Sequence, residues 1–219
     1  MSFKAAKTAG SNFKRPDPVE VGTYPARLVQ MIDLGVQTRR PYKGEAKDPI
    51  QMIRTTYELT TEFMKNEDGT DDTTKPRWIS EDFPLYPPSA DRSKSAQRYL
   101  ALDPSNTMDG DWEAMLGQAV ALTIVHNPKK DDPSVVYANI GSTSPIMKGM
   151  VVEELANPTT MFSTRDPVLE VFNGLPEFLQ EKIKSGVDFE GSALEGMLSG
   201  GGAVVAQPAV QEPAVNPFG

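Results

Sequence analysis

The sequence predicts a mainly β protein: five strands rolled into a small barrel, with added helices and a flexible tail at each end. Two observations carry this. Long stretches alternate between apolar and polar residues, and their order is three strands, a helical segment, then two more strands. The length of 219 residues suits one moderate domain with tails, and 38% apolar with 24% charged residues leaves enough to bury a core.

Residues 1–18 are small, polar and basic and end at Pro16 and Pro18, which predicts a flexible basic arm. The barrel is expected over 19–145. In the first strand, 21–37, Tyr24, Ala26, Leu28, Ile32, Leu34 and Val36 share one parity, with Arg27, Asp33 and Gln37 on the other. Gly35 inside that run points to a bulge or sharp coil. Residues 38–49 form a loop. The second strand, 50–64, places Ile53, Tyr57, Leu59 and Phe63 inward. An acidic turn follows at 66–75. In the third strand, 77–85, inward Ile79 and Phe83 put Trp78 and Ser80 outward.

Helical spacing returns at 93–102, with Ala96, Tyr99 and Leu100 on one face, and at 109–117, with Trp112, Met115 and Leu116 at i, i+3, i+4. Residues 118–126 are a β-branched strand, 126–133 a loop, and 134–141 the fifth strand. A C-terminal helical extension is expected over 146–190. Its first helix is capped by Asp166 with Pro167 at the first helical position, and a second runs from Pro176 to Gly186. Residues 191–219 are rich in small residues and proline and read as a disordered tail.

This order of elements is that of the OB-fold, a five-stranded Greek-key barrel that binds oligonucleotides on strands 2–3 and on the loops joining strands 1–2 and 4–5. The net charge of −8 argues against polyanion binding, but the charge is unevenly spread. Residues 1–48 hold nine Lys/Arg and five Asp/Glu (+4), 49–149 hold ten and fifteen (−5), and 150–219 hold three and ten (−7). Both OB-type binding loops carry cations.

Single-strand binding needs cations along the phosphates and aromatic faces for the bases. The first loop offers Arg39, Arg40, Lys43 and Lys47 around Tyr42. Arg54, Arg77 and Trp78 would extend the platform across the sheet, and Lys129 and Lys130 would close the groove from the other loop. These ten residues are the expected nucleic-acid-binding set.

Other chemistries find little support. With no cysteine there are no disulfides or thiolate metal sites, and His126 is a lone histidine. The acidic cluster Glu67, Asp68, Asp71 and Asp72 lacks calcium-loop spacing and reads as a hairpin tip. No phosphate-binding, dinucleotide-binding or nucleophile-elbow motif is present, so neither a cofactor nor catalysis is expected. No run approaches a membrane span and no apolar signal core opens the chain, which predicts a cytoplasmic protein.

The runs G-T-Y-P-A-R-L-V-Q-M-I-D-L-G-V-Q (22–37) and R-P-Y-K-G-E (40–45) resemble the opening of phage-encoded single-stranded DNA-binding proteins with an OB-fold. The likeness continues through K-P-R-W-I-S-E-D-F-P-L (75–85), R-Y-L-A-L-D-P (98–104), T-I-V-H-N-P (123–128) and L-P-E-F-L-Q-E-K-I (175–183), and covers roughly residues 20–185. It implies non-catalytic, sequence-tolerant binding of single-stranded DNA in phage replication or recombination, in the host cytoplasm. It places the binding surface most firmly at Arg39–Lys43. Members of that class commonly recruit replication or recombination proteins through an acidic tail. Here the last 20 residues hold one acid, Glu212, with Phe218 near the end. An OB-fold interaction protein is the alternative, and a carboxylate-metal nuclease is a third reading.

Overall fold

The computed structural model describes residues 17–200. It contains β1 (Gly22–Gln37), β2 (Ile50–Lys65), β3 (Asp71–Pro84), α1 (Lys94–Leu102), β4 (Ala119–Lys129), β5 (Asp132–Ser144), β6 (Thr160–Phe162), α2 (Leu169–Gly174), α3 (Glu177–Lys184) and α4 (Ala193–Leu198). The strands lie in the antiparallel order β3-β2-β1-β4-β5, with the short β6 also paired to β1. The protein is therefore mainly β, with α1 inserted between the third and fourth strands of a barrel-like sheet, as the element order predicts. β3 and β5 are the two edges of that order.

The chain divides into two compact units. Among the described residues the first comprises 17–30, 55–81 and 86–160, and the second 31–54, 82–85 and 161–200.

In the first unit, β1 pairs antiparallel with β4 from Gly22↔Ile124 to Arg27↔Ala119, and β4 with β5. The β4–β5 register jumps between Thr123↔Ser142 and Ile124↔Ile140, leaving Gly141 as the extra residue of a bulge. A Cβ at Gly141 would meet Val125 at 2.9 Å, so this site needs a residue without a side chain. Ala26, Leu28, Tyr57, Leu59, Val120, Leu122 and Ile124 are completely buried. Each large apolar side chain so buried contributes about 1.5–3 kcal/mol. α1 starts because the Ser93 hydroxyl accepts the Ala96 N–H at 3.1 Å. Its Arg98, only 3% exposed, spans from Glu81 of β3 to the Ile140 carbonyl of β5. Tyr99 packs edge-on against Trp112, with ring centroids 5.5 Å apart, so both are core residues.

The second unit buries Ile32, Leu34, Phe162, Phe172, Leu175, Leu179, Ile183 and Leu194 as one cluster. Gly35 has φ +73°, the left-handed conformation, which is the sharp coil expected within β1. Asp188 closes over it, accepting the Val36 N–H at 2.8 Å. Asp33 ties this unit together by accepting from Gly35 N, Gln51 Nε2 and Thr164 N.

Several boundaries differ from those predicted. The 109–117 pattern yields one 3₁₀ turn, Glu113–Met115, because Gly110 and Gly117 with positive φ confine it. The acidic turn is shorter than 66–75, since β3 begins at Asp71. The 126–133 loop shrinks to a turn at Lys130 and Asp131, because hairpin pairing carries β4 through Pro128 to Lys129. The helix expected after Asp166-Pro167 starts later. Val168 is its N-cap and no side chain caps it. Residues 145–159 carry no helix at all, and β6 follows them. The predicted tail begins too early: Ser192 caps α4 by accepting the Glu195 N–H, and Leu194 is buried. At the other end, Asp17–Glu20 is fastened to the barrel. Val19 is 4% exposed, its carbonyl accepts from His126 at 2.8 Å, and the Asp17 carbonyl accepts from Arg77. The rest of the predicted arm and tail, 1–16 and 201–219, lies outside the described residues.

Candidate nucleic-acid interface

The β1–β2 loop is built around a tight turn. Tyr42 and Glu45 exchange both backbone hydrogen bonds, at 2.9 and 3.1 Å, as an isolated bridge. The two residues between them, Lys43 (φ +53°) and Gly44 (φ +84°), both lie in the left-handed region. That is the backbone of a type I′ turn, and Gly at its second central position is what makes it accessible. The turn holds the Tyr42 ring 58% exposed. The Lys43 ammonium stands 5.5 Å and that of Lys47 4.5 Å from the ring centre, both within cation–π range. Arg40 is exposed and Arg39 half-buried on the same loop. Among the described residues none of these four cations is in an ion pair. With Glu45 and Asp48 the only acids between 38 and 49, the loop carries four positive and two negative charges. Chemically it is an exposed flat ring flanked by two ammonium groups, which can stack on a base while the cations of the loop meet phosphates.

The β4–β5 turn is different. Lys129 and Lys130 are exposed, but Asp131 and Asp132 follow immediately, so the tip is electrically balanced. It lies beyond the Gly22 end of β1, as the β1–β4 register requires.

The outer face of β2 in the first unit is not an open platform. Thr56, Glu58 and Thr60, all on the parity opposite Tyr57 and Leu59, are 2%, 1% and 6% exposed. Thr56 bonds Gln30 and Ser80, Thr60 bonds the Pro25 carbonyl, and Glu58 is met by the chain's own segment 145–159, a strap between β5 and β6. Its Ala156 N–H and Asn157 Nδ2 donate to the two Glu58 oxygens at 2.7 and 2.6 Å. Trp78 Nε1 donates to the same carboxylate at 3.1 Å. Farther along, Arg27 of β1 reaches the strap through the Glu153 carbonyl, at 2.8 Å, and the Glu154 carboxylate, at 3.1 Å. The strap's own side chains stay largely in water, Val151 at 71% and Met147 at 54% exposed. These attachments are polar. Nothing in its sequence announces them, because V-V-E-E-L-A-N-P has neither helical nor strand periodicity that fixes a partner.

The remaining predicted residues are placed as follows. Trp78 is outward, as its parity predicts, and 46% exposed, with its ring edge tied to Glu58. Arg77 is half-buried and donates a guanidinium N–H to the Asp17 carbonyl. Arg54 is paired with Asp82 at 2.7 Å and belongs to the second unit. The structure thus gathers Arg39, Arg40, Tyr42, Lys43 and Lys47 on one loop, and assigns the other five to separate surroundings.

The acidic β2–β3 hairpin satisfies its own charges. Lys75 and the Thr74 hydroxyl hold Asp72 down to about 2, and the Thr70 hydroxyl holds Asp68 low. Among the described residues no three His, Asp or Glu side chains converge on a metal position. No helix of the described residues is long and apolar enough to cross a membrane. Comparison with known protein families, curated proteins and solved structures found no match.

Proposed function

We propose that this protein binds single-stranded DNA with little sequence preference, through the β1–β2 loop, and serves phage DNA replication or recombination without catalysis. The observation that carries the reading is the exposed Tyr42 ring held in a tight turn between the Lys43 and Lys47 ammonium groups. Stacking on such a ring is tolerant of base identity, and the neighbouring cations supply the sequence-independent phosphate term. The strand order agrees, since the loop between the first two strands is a nucleic-acid contact in OB-folds.

Fluorescence anisotropy with labelled oligo-dT at two salt concentrations tests this, with the matching RNA run alongside. Micromolar or tighter binding is the expected result. If all four loop cations meet phosphates, log K should fall against log salt with a slope of about −2.8. Absence of binding at low salt rejects the proposal.

An interaction role has one observation in its favour. β5 is an edge of the strand order, and its Val135 and Tyr137 are 36% and 40% exposed, an arrangement open to strand addition by a partner. It becomes the leading reading if the titration shows no binding.

A further inference from the structure

α3 is amphipathic in an unusual way. Leu179 and Ile183 enter the core of the second unit at 2% exposure each, while Phe178 faces water at 55%. A phenyl ring left in water beside a well-filled core is not needed for packing. Two cations belong to its surroundings, Arg54 and, one helical turn on, Lys182. The Arg54 guanidinium lies 5.4 Å from the Phe178 ring centre. Arg54 and Lys182 bind opposite oxygens of one carboxylate, Asp82, both at 2.7 Å. Within this trio two positive groups share one negative group, and all three side chains are 21–33% exposed, while Glu177 and Glu181 of the same helix are exposed.

The same helix is fixed to the root of the β1–β2 loop. Gln37 Nε2 donates to the Lys182 carbonyl at 2.9 Å, and the loop begins at the next residue. Tyr42 is five residues on from Gln37, so chain length alone keeps Tyr42 within roughly 18 Å of this anchor.

We infer that α3 supplies a second contact for the same single strand: Phe178 stacks on a base, and Lys182 with Arg54 takes an adjacent phosphate. The inference rests on the single-strand-binding reading and extends it to a helix that strand order alone does not implicate. The ring and the two part-exposed cations together match a strand of alternating bases and phosphates, whereas the cations alone would match any anion.

Full-length protein is titrated with labelled oligo-dT as wild type, Phe178→Ala and Lys182→Gln. In parallel, wild type is photocross-linked to an oligo-dT carrying 5-iododeoxyuridine and the adducts are mapped by mass spectrometry. Phe178→Ala should weaken binding about fivefold or more. Lys182→Gln should make the salt slope shallower by about 0.7. A cross-link at Phe178 is expected beside one at Tyr42. Wild-type affinity and slope in both variants, with cross-links confined to the β1–β2 loop, would overturn the inference and leave the first reading standing. If wild type itself does not bind, both fall. Should Phe178→Ala lower the melting temperature, the wild-type cross-link decides. Capture of an acidic peptide instead of DNA by the same patch also rejects it.

Discussion

Trp78 and Glu58 are joined across β3 and β2 by the hydrogen bond from the indole Nε1 to the carboxylate, at 3.1 Å. Glu58 thereby has three N–H donors, two of them from the strap. A carboxylate that is 1% exposed is costly unless its oxygens are satisfied, and these are satisfied by nitrogen donors rather than by a paired cation. Glu58 therefore holds both the outward tryptophan and the Ala156–Asn157 part of the strap, whose Glu153–Glu154 part is held by Arg27.

Replacing Glu58 should release the tryptophan and the Ala156–Asn157 part of the strap. Glu58→Ala is expected to lower stability by about 1–3 kcal/mol, the usual cost of orphaning buried polar groups, as read by urea unfolding. Hydrogen exchange should show loss of protection at the Ala156 amide while β4 and β5 keep theirs. Undiminished protection at Ala156 would mean that the Arg27 contacts hold the whole strap without Glu58.

Arg40 is exposed and Arg39 half-buried on the loop, and neither has an ion-pair partner among the described residues, so their removal should leave folding intact. The double change Arg39→Ala, Arg40→Ala should weaken binding of all oligonucleotide sequences alike. Each lost phosphate contact removes about 0.7 from the salt slope, giving a slope shallower by about 1.4. An unchanged slope in the anisotropy titration would move the phosphate contacts away from these two residues.

Gly35 has a conformation and a neighbour that both exclude a side chain. At φ +73° an L-residue is strained, and a Cβ would stand 2.8 Å from the Asp188 oxygen that accepts the Val36 N–H. Gly35→Ala should cost about 1–3 kcal/mol, seen as a lower melting temperature. Equal stability of the variant would show that Asp188 moves freely and that the coil in β1 is not constrained there.

How far the sequence could be read varies by region, for physical reasons. One parity of β1, β2 and β3 is legible from a period of two, with Ala26, Leu28, Ile32, Leu34, Tyr57, Leu59, Ile79 and Phe83 all buried, whereas Val29 and Met31 of β1 are buried on the other parity as well. The β1–β2 loop is legible because R-R-P-Y-K-G-E names a turn and its charges at once. Thr56, Glu58 and Thr60 mislead, since polar residues on the outer parity look like a solvated face until another segment covers them. Arg54 and Lys182 could not be associated from sequence: the carboxylate joining them, Asp82, lies 28 residues from one and 100 from the other.

Local pattern alone determined the order and type of the main strands, the single glycine coil in β1, and the concentration of cations around Tyr42, because each follows from neighbours a few residues apart. Tertiary structure decided which polar face stays wet, where the 145–159 strap lies and which arginines remain unpaired. Those outcomes depend on contacts between distant segments, and a carboxylate such as Glu58 carries no local mark of the partners that will close over it.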